Sequence, residues 1–409
     1  MSPEGSSTVG GNEGDGLAQL RSEIETVTRS IIDQISKRQA LSVDVARAKK
    51  IGKLPIENLK VESELRRSIG EYAESVGVDR SLADDVLQDL ITSSKNQQRR
   101  ELYRDEIVKF LDNAHIRNVT VIGAGRMGKW VSIYFQGLGR NVTLTDNKPG
   151  KAQKLALEVG CKYATALEKA FAESDLVVIA VSIENTSRMI CEIMKISRRQ
   201  EGVDKRFSPL RLIELTSVKF PLARSGLIHQ ENSKIVGNLR LHSIHPLFGP
   251  DAHPFAPNSL IEIRTKSQRP DAFISNLFPQ FKIRHMTWED HDAMMSIILS
   301  LPHLLAFVFA DVVVRNKDDS LLSEGKKRGL EIIAGPSFDR MLQFSRRVFS
   351  ESPDVYFEIQ SLNKYNERLI SQLQKSLETV TKLRRDKGRF ETFFAKMATS
   401  LEKLDSSTA

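Results

Sequence analysis

Three glycines at a fixed spacing mark the first group of residues that could do chemistry. Gly123, Gly125 and Gly128 form the pattern G-x-G-x-x-G directly after the β-branched stretch Val119–Ile122. The first glycine of this pattern permits a tight turn, the second lets the backbone approach a pyrophosphate, and the third lets the next helix pack on its strand. Asp146 ends the following predicted strand, eighteen residues after the last glycine, where a carboxylate can bind a ribose. The spacing predicts a dinucleotide-binding site.

The cofactor is expected to lie along one edge of a parallel sheet, where the loops after successive strands meet. Asp146 favours NAD, because a 2′-phosphate would meet its negative charge, while the nearby Lys148 leaves NADP possible. The predicted cofactor contacts are Gly123, Ala124, Gly125, Arg126, Met127, Gly128, Asp146, Val181 and Ser182.

Near the N-terminus, two cations fall on the apolar face of a long predicted helix that runs from Leu17 to about Lys50. Arg38 and Lys49 are eleven residues apart, so both point inward, which is costly unless an anion binds between them or both snorkel to solvent. Arg21 points about 100° away from Arg38. A helix of about 50 Å is too long for one small domain to cover, which predicts a second chain.

Three predicted helices with these inward polar residues resemble the all-helical chorismate mutases. The resemblance rests on Leu20–Arg21, Lys37–Arg38, Ala48–Lys49, Pro55, Glu62, Ser94 and Gln98. It implies that Arg38 and the partner subunit's Arg21 hold the two carboxylates of chorismate, and that Ser94 also contacts the substrate. It further implies that Lys49 and Gln98 bond the ether oxygen.

In the same resemblance, Glu62 binds the ring hydroxyl, and catalysis is electrostatic preorganisation for a pericyclic step. Two departures leave alternatives open. Val61 stands where these mutases usually have an arginine, and Asn58 where they usually have an acid, although Lys60 is close enough to substitute. An alternative is therefore that the helical domain serves for dimerisation and has no mutase activity.

A second group of motifs resembles the prephenate dehydrogenases in order and spacing. These motifs are T-S-V-K at Thr216–Lys219, H-P-L-F-G-P-D at His245–Asp251 and L-P-H at Leu301–His303. The resemblance implies oxidation of prephenate to 4-hydroxyphenylpyruvate with loss of carbon dioxide. His245 would take the hydroxyl proton as general base, oriented by Ser217. His303 and Arg340 would hold the substrate. An arogenate dehydrogenase and a nucleotide-sensing regulator without catalysis remain alternatives.

These sites require three kinds of scaffold. The chain is predicted to be multidomain, with an all-α three-helix N-terminal domain, an α/β Rossmann-type doubly wound parallel sheet and an all-α C-terminal dimerisation domain. The predicted segments are a disordered tail at 1–16, the mutase-like domain at 17–103, a linker at 104–117, the dinucleotide-binding domain at 118–288 and the dimerisation and substrate-binding domain at 289–409.

Composition fits a soluble globular protein, for which the motifs predict small-molecule substrates and the long first helix predicts a homodimer. The 409 residues are 40% hydrophobic and 27% charged, as in globular proteins. Two cysteines, Cys161 and Cys191, are too few for a disulfide framework or a metal cluster, which predicts a cytoplasmic protein without metal. No apolar run reaches the ~18 residues of a membrane span, and the net charge of +8 is spread along the chain. Neither a membrane nor a nucleic acid partner is therefore expected.

Overall fold

The structure is a computed structural model that describes residues 12–200, 210–228, 239–264, 271–318 and 334–406. The predicted disordered tail lies outside these ranges as far as residue 11. The prediction of disorder was wrong for residues 12–16, because helix α1 already begins at Asn12.

Three helices precede the sheet, and the third is much longer than predicted. They are α1 (Asn12–Gly52), α2 (Leu59–Ser75) and α3 (Arg80–Asn113). The prediction of a linker at 104–117 was wrong, because α3 continues through most of it. Ile107 and Leu111 on this last part are fully buried in the core of the sheet domain, so packing holds the helix together where the sequence reads as a charged connection.

The central element is an eight-stranded sheet in the order β3-β2-β1-β4-β5-β6-β7-β8. The strands are β1 (Asn118–Ile122), β2 (Asn141–Thr145), β3 (Lys162–Tyr163), β4 (Leu176–Ile179), β5 (Leu210–Glu214), β6 (Leu239–Pro246), β7 (Ser259–Ile263) and β8 (Lys282–Met286). Every pairing is parallel except that of β6 with β7. The sheet is thus mixed at one junction, whereas the sequence predicted a fully parallel one.

Register explains why the functional loops meet. Ile122 of β1 pairs with Thr145 of β2 and with Ile179 of β4. Ile179 pairs with Glu214 of β5, which pairs with Ser243 of β6. The carboxyl ends of β1, β2, β4 and β5 are therefore level, and β6 runs three residues further, to Pro246. The loops that follow these strands share one edge of the sheet.

Helices cover the sheet and form the C-terminal part. Those within the sheet domain are α4 (Arg126–Gly137), α5 (Pro149–Val159), α6 (Leu167–Ala172), α7 (Ile183–Gln200), α8 (Phe220–Arg224) and α9 (Phe273–Leu277). Those after it are α10 (Trp288–Met295), α11 (Leu301–Asp318), α12 (Pro336–Phe349), α13 (Pro353–Leu362), α14 (Asn366–Leu383) and α15 (Lys387–Ser406), with a π-helical turn at Ser296–Ser300. The predicted fold class, helical, then Rossmann-type, then helical, is confirmed.

Two helices leave long apolar faces exposed. On α1 the side chains of Leu20, Ile24 and Ile31 are more than half exposed. The continuous segment Trp288–Arg315 is long and apolar enough to cross a membrane by length and composition, contrary to our expectation of no such run. Within it, Ile297 is 61% exposed. Apolar faces of this size suit packing against another surface.

Candidate active sites

The glycine loop after β1 has the geometry that a dinucleotide requires. Gly123 has a φ of +107°, and a Cβ there would lie 2.4 Å from the carbonyl oxygen of Ala180. A Cβ on Gly128 would lie 1.9 Å from the carbonyl oxygen of Gly123. By contrast, a Cβ on Gly125 would meet nothing within 4 Å. The loop is therefore pressed against its own scaffold and open at Gly125, in front of the N-terminus of α4, where unpaired N–H groups attract phosphate.

Asp146 is held in place to receive a ribose. Its carboxylate accepts a hydrogen bond of 2.8 Å from the amide of Ala124 and one of 2.9 Å from the amide of Lys148. These bonds fix the acid at the end of β2, beside the glycine loop, with capacity left for hydroxyl donors. The residues present thus fit a nicotinamide dinucleotide.

The other predicted cofactor contacts lie along the same edge. Val181 and Ser182 lie between β4 and α7, and Met127 lies in the first turn of α4. Arg126 is ion-paired to Asp251 at 2.7 Å and to Glu351 at 2.5 Å. A residue of the glycine loop therefore connects the cofactor edge to the loop after β6 and to the segment between α12 and α13.

His245 lies at the end of β6 and is 4% exposed. The loop that follows is anchored by Phe248, whose ring packs 5.0 Å from that of Trp130 on α4. Ser217, in the loop after the adjacent strand β5, is partly buried. Strand pairing of β5 with β6 therefore brings the predicted base and its predicted orienting hydroxyl to one edge, beside the cofactor loop.

A buried histidine that the sequence analysis passed over contacts His245. Nδ1 of His245 lies 2.9 Å from Nε2 of His291, and Nδ1 of His291 lies 2.7 Å from the carboxylate of Asp292. His291 and Asp292 are fully buried on α10. Burial lowers the pKa of His245 well below its usual value, and the neighbouring His291 and Lys219 lower it further. His245 is therefore neutral at pH 7 and able to accept a proton.

Lys219, from the T-S-V-K motif, is a structural cation beneath this site. Its ammonium is fully buried and donates to Glu214 at 2.6 Å and to the carbonyl of Ile244 at 2.9 Å. Glu214 also accepts from Thr216, at 2.6 Å, and from Ser243. The buried pair is thus fully hydrogen-bonded, as a buried charge requires, and ties the ends of β5 and β6 together.

The two predicted substrate contacts of the C-terminal helices, His303 and Arg340, differ in their surroundings. His303 on α11 packs edge-on against Tyr356 of α13, and its Nδ1 is buried without a hydrogen-bond partner among the described residues. Arg340 is exposed on α12. On the same helix, the guanidinium of Arg347 lies near Gly249 in the loop after His245. Sequence analysis missed Arg347 because Arg346–Arg347 reads as an ordinary basic helix end.

The N-terminal helices bring the second set of predicted residues together. Arg38 of α1 donates to the carbonyl of Leu90 at 2.6 Å and to the hydroxyl of Ser94 on α3. Lys49 donates to Gln98 at 3.2 Å and to the carbonyl of Ile56 at 2.6 Å. The inward cations therefore do not snorkel to solvent but line the contact between α1 and α3.

Glu62 faces this group from α2 and contacts a lysine that the sequence analysis missed. Nζ of Lys95 donates to Glu62 at 2.8 Å, which lowers the pKa of Glu62. The predicted substitute, Lys60, is exposed. Asn58 is the N-cap of α2 and accepts from the amide of Val61 at 3.2 Å, so it has a structural role.

Arg21 is exposed on α1. It is the one predicted mutase residue for which the described part of the chain shows no side-chain hydrogen bond or ion pair. A site that needs Arg21 would have to receive it from a second copy.

Three family models match successive parts of the chain. "Chorismate mutase type II" matches residues 20–99, "NADP oxidoreductase coenzyme F420-dependent" matches 118–203, and "Prephenate dehydrogenase, dimerization domain" matches 287–399. The last match includes the exposed apolar segment of α10 and α11.

Curated relatives extend over most of the chain. The T-protein of Enterobacter agglomerans is 24% identical over 366 residues, which cover 87% of this chain and 84% of the relative. The T-protein of Haemophilus influenzae is 24% identical over 89% of this chain and 86% of the relative. A probable arogenate/prephenate dehydrogenase of Methanocaldococcus jannaschii is 23% identical over 66% of this chain, which spans 58% of that relative's length.

Solved structures show the same fold in the dehydrogenase part. Prephenate dehydrogenase from A. aeolicus, in complex with hydroxyphenyl propionate and NAD+, has a TM-score of 0.53 and 18% identity over 71% of this chain and 98% of its own. Synechocystis arogenate dehydrogenase has a TM-score of 0.51 and 14% identity over 71% of this chain and 99% of its own. The chain thus matches a chorismate mutase type II model before its Rossmann-type sheet and a prephenate dehydrogenase dimerization model after it, and it is similar to the T-proteins over most of its length.

Proposed function

We propose that this chain is a bifunctional enzyme of tyrosine biosynthesis, which rearranges chorismate to prephenate and oxidises prephenate to 4-hydroxyphenylpyruvate and carbon dioxide. The observation that carries the proposal is the position of a neutral, buried His245 at the sheet edge that also holds the open glycine loop. A regulator that only sensed a nucleotide would have no use for a buried proton acceptor there.

In the dehydrogenase site, the nicotinamide supplies a hydride acceptor. Nε2 of His245 accepts the proton of the ring hydroxyl while the hydride leaves the carbon that bears it. The ring carboxylate then departs as carbon dioxide, its bonding electrons complete the aromatic ring, and His245 returns the proton to the ring oxygen. Ser217, from the neighbouring strand end, orients the hydroxyl. No metal is needed in this sequence of bond changes.

The substrate's anionic groups require cations at the rim of this site. Arg347 is our candidate for a carboxylate, in place of Arg340, since its guanidinium lies beside the loop of Gly249. His303, with a buried Nδ1 that lacks a partner among the described residues, is our candidate for a hydrogen bond to the side-chain portion. Arogenate differs from prephenate in that portion, so these two residues would govern the choice between them.

In the mutase site, Arg38 holds one carboxylate, and Lys49 with Gln98 stabilises the negative charge that grows on the ether oxygen. Glu62 binds the ring hydroxyl. Lys95, rather than Lys60, supplies the cation that Val61 does not, because its ammonium already lies against Glu62. The partner subunit's Arg21 completes the site, which makes the active form a homodimer.

The remaining parts of the proposal concern the cofactor, the domains and the location. Asp146 makes NAD the preferred cofactor over NADP. The mutase and dehydrogenase parts meet within α3, in place of a flexible linker. A cytoplasmic location fits a protein whose cofactor and substrates are small metabolites.

One assay tests the proposal as a whole. The purified chain is mixed with chorismate and NAD, and reduced nicotinamide is followed by its absorbance. The proposal predicts that absorbance rises after a lag during which prephenate forms, and rises without a lag when prephenate is supplied. Reduction from prephenate alone would leave only the dehydrogenase. No reduction from prephenate, with arogenate active, would assign the alternative substrate, and inactivity with all three would refute an enzymatic role.

A further inference from the structure

A chain of hydrogen bonds extends from the predicted base into the protein interior. His245 on β6, His291 on α10 and Asp292 on α10 are each at most 4% exposed. The two contacts of 2.9 Å and 2.7 Å join them in this order. His291 and Asp292 adjoin each other in the sequence E-D-H-D, which reads as the acidic first turn of an exposed helix, so sequence analysis gave them no role.

Asp292 is anchored as an acceptor on every side. It accepts from the backbone amide of Lys219 at 2.9 Å and from that of Phe220 at 2.7 Å. The backbone carbonyl of Asp292 accepts a hydrogen bond of 2.8 Å from the side-chain amide of Asn363, so the C-terminal helices hold α10 in position. An ionised carboxylate can only accept hydrogen bonds. The third donor to Asp292 is therefore Nδ1–H of His291.

That donor fixes the protons along the whole chain. A neutral imidazole carries one proton, so His291 with a protonated Nδ1 has a lone pair on Nε2. Burial lowers the pKa of His291 to about 2, which keeps it neutral. Its Nε2 must then accept from Nδ1–H of His245. The consequence is a lone pair on Nε2 of His245, the nitrogen for which no described residue is a hydrogen-bond partner.

We infer that His291 and Asp292 are positioning residues, which hold His245 in the one neutral tautomer that can take a proton from the substrate. The inference rests on the proposed role of His245 for its effect on turnover, while the tautomer itself is a property of the free protein. It adds two residues to the dehydrogenase site that the sequence motifs did not include.

Asp292→Asn tests the inference because it keeps the shape of the side chain but replaces one acceptor oxygen with an NH2 donor. With its oxygen on the amides of Lys219 and Phe220, the new NH2 group would donate to Nδ1 of His291. His291 would then donate to His245, which leaves Nε2 of His245 protonated and unable to act as a base. Prephenate oxidation should fall by at least about 10²-fold in kcat, toward the ~10⁴-fold loss of a base held in the wrong tautomer. Asp290→Asn, the same change at an exposed position on α10, is the matched control.

A pair of changes at His291 separates positioning from packing. His291→Gln places an amide oxygen near the former Nε2 and can still accept from His245, whereas His291→Leu fills similar space and cannot accept. The Gln variant should recover at least about tenfold in kcat over the Leu variant. Equal rates for the two variants, with mutase activity intact in both as evidence of folding, would overturn the positioning role.

The pH dependence of turnover gives a readout that packing alone would not change. Burial raises the pKa of Asp292 to about 6, against the opposing charges of Lys219 and Lys364. Below that pH, a protonated Asp292 can donate to His291 and reverse the chain, so kcat of the parent should fall as the pH drops through about 6. Among the residues that the structure describes, the titrating neighbours of His245 are His291 and Lys219, and burial lowers the pKa of His245 well below its usual value, so His245 takes up its proton at a lower pH. If kcat of Asp292→Asn still falls through the same pH range, a group other than Asp292 causes the fall, which would contradict the role given to Asp292.

The direct measurement is nitrogen NMR of the full chain with labelled histidine. The chain has eight histidines, so single His→Asn variants can assign the signals. We expect the proton of His245 on Nδ1 in the parent and on Nε2 in Asp292→Asn. A parent His245 protonated on Nε2 would refute the inference even if prephenate is oxidised. The expected tautomer in a chain that does not oxidise prephenate would instead refute the proposed function and leave the hydrogen-bond chain standing.

Discussion

Arg21 and Arg38 allow a sharp test of a mutase site shared between two chains. Both lie on α1, seventeen residues and roughly 25 Å apart along the helix axis. Arg38 bonds Ser94 inside the helical domain, whereas Arg21 is exposed. One small dicarboxylate cannot span them within a single chain. Arg21→Ala and Arg38→Ala should therefore each abolish mutase activity as homodimers, because each leaves every site with only one of its two arginines.

Mixing the two inactive variants should restore activity by a calculable amount. Random pairing makes half of the dimers mixed, and each mixed dimer has one site with both arginines and one with neither. About a quarter of parent activity should return. The assay is prephenate formation after joint refolding of differently tagged chains, with Arg29→Ala, a change at an exposed arginine of the same helix, as the control. A mixture that stays inactive, although tags prove exchange, would place each site within one chain.

Three further predictions follow from single contacts. Lys95→Ala should lower mutase kcat by about 10²-fold if its ammonium stabilises the bound dianion, whereas Lys60→Ala should leave it unchanged; equal effects in steady-state assays would refute the assignment. Ile107→Ala should lower the free energy of unfolding in urea by about 2–5 kcal/mol, and a loss below about 0.5 kcal/mol would show that the end of α3 is not part of the sheet-domain core. Asp146→Asn should reduce the ratio of kcat/KM for NAD to that for NADP, and an unchanged ratio would mean that Asp146 does not contact the ribose.

The local parts of this structure were predictable because their causes are local. The turn at Gly123 needs a positive φ, and β1 and β2 are short β-branched stretches, so strand, turn and helix could be derived from adjacent residues. The inward direction of Arg38 and Lys49 followed from helical periodicity in the same way. Fold class therefore came directly from pattern.

Features that depend on distant packing could not be derived. The continuation of α3 past residue 103 depends on Ile107 and Leu111 meeting the sheet core, which no local pattern indicates. His291 acquires its role only because α10 brings it to His245, forty-six residues earlier in the chain. Likewise, Lys95 and Lys60 are equally plausible as sequence, and only the packing of α2 on α3 separates them.

Measurement of both reaction rates of His245→Asn in one preparation shows whether His245 is the base of the dehydrogenase in a bifunctional chain. Prephenate oxidation should fall by about 10²–10⁴-fold while conversion of chorismate to prephenate continues at the parent rate. Oxidation of prephenate by His245→Asn at nearly the parent rate would contradict this role of His245.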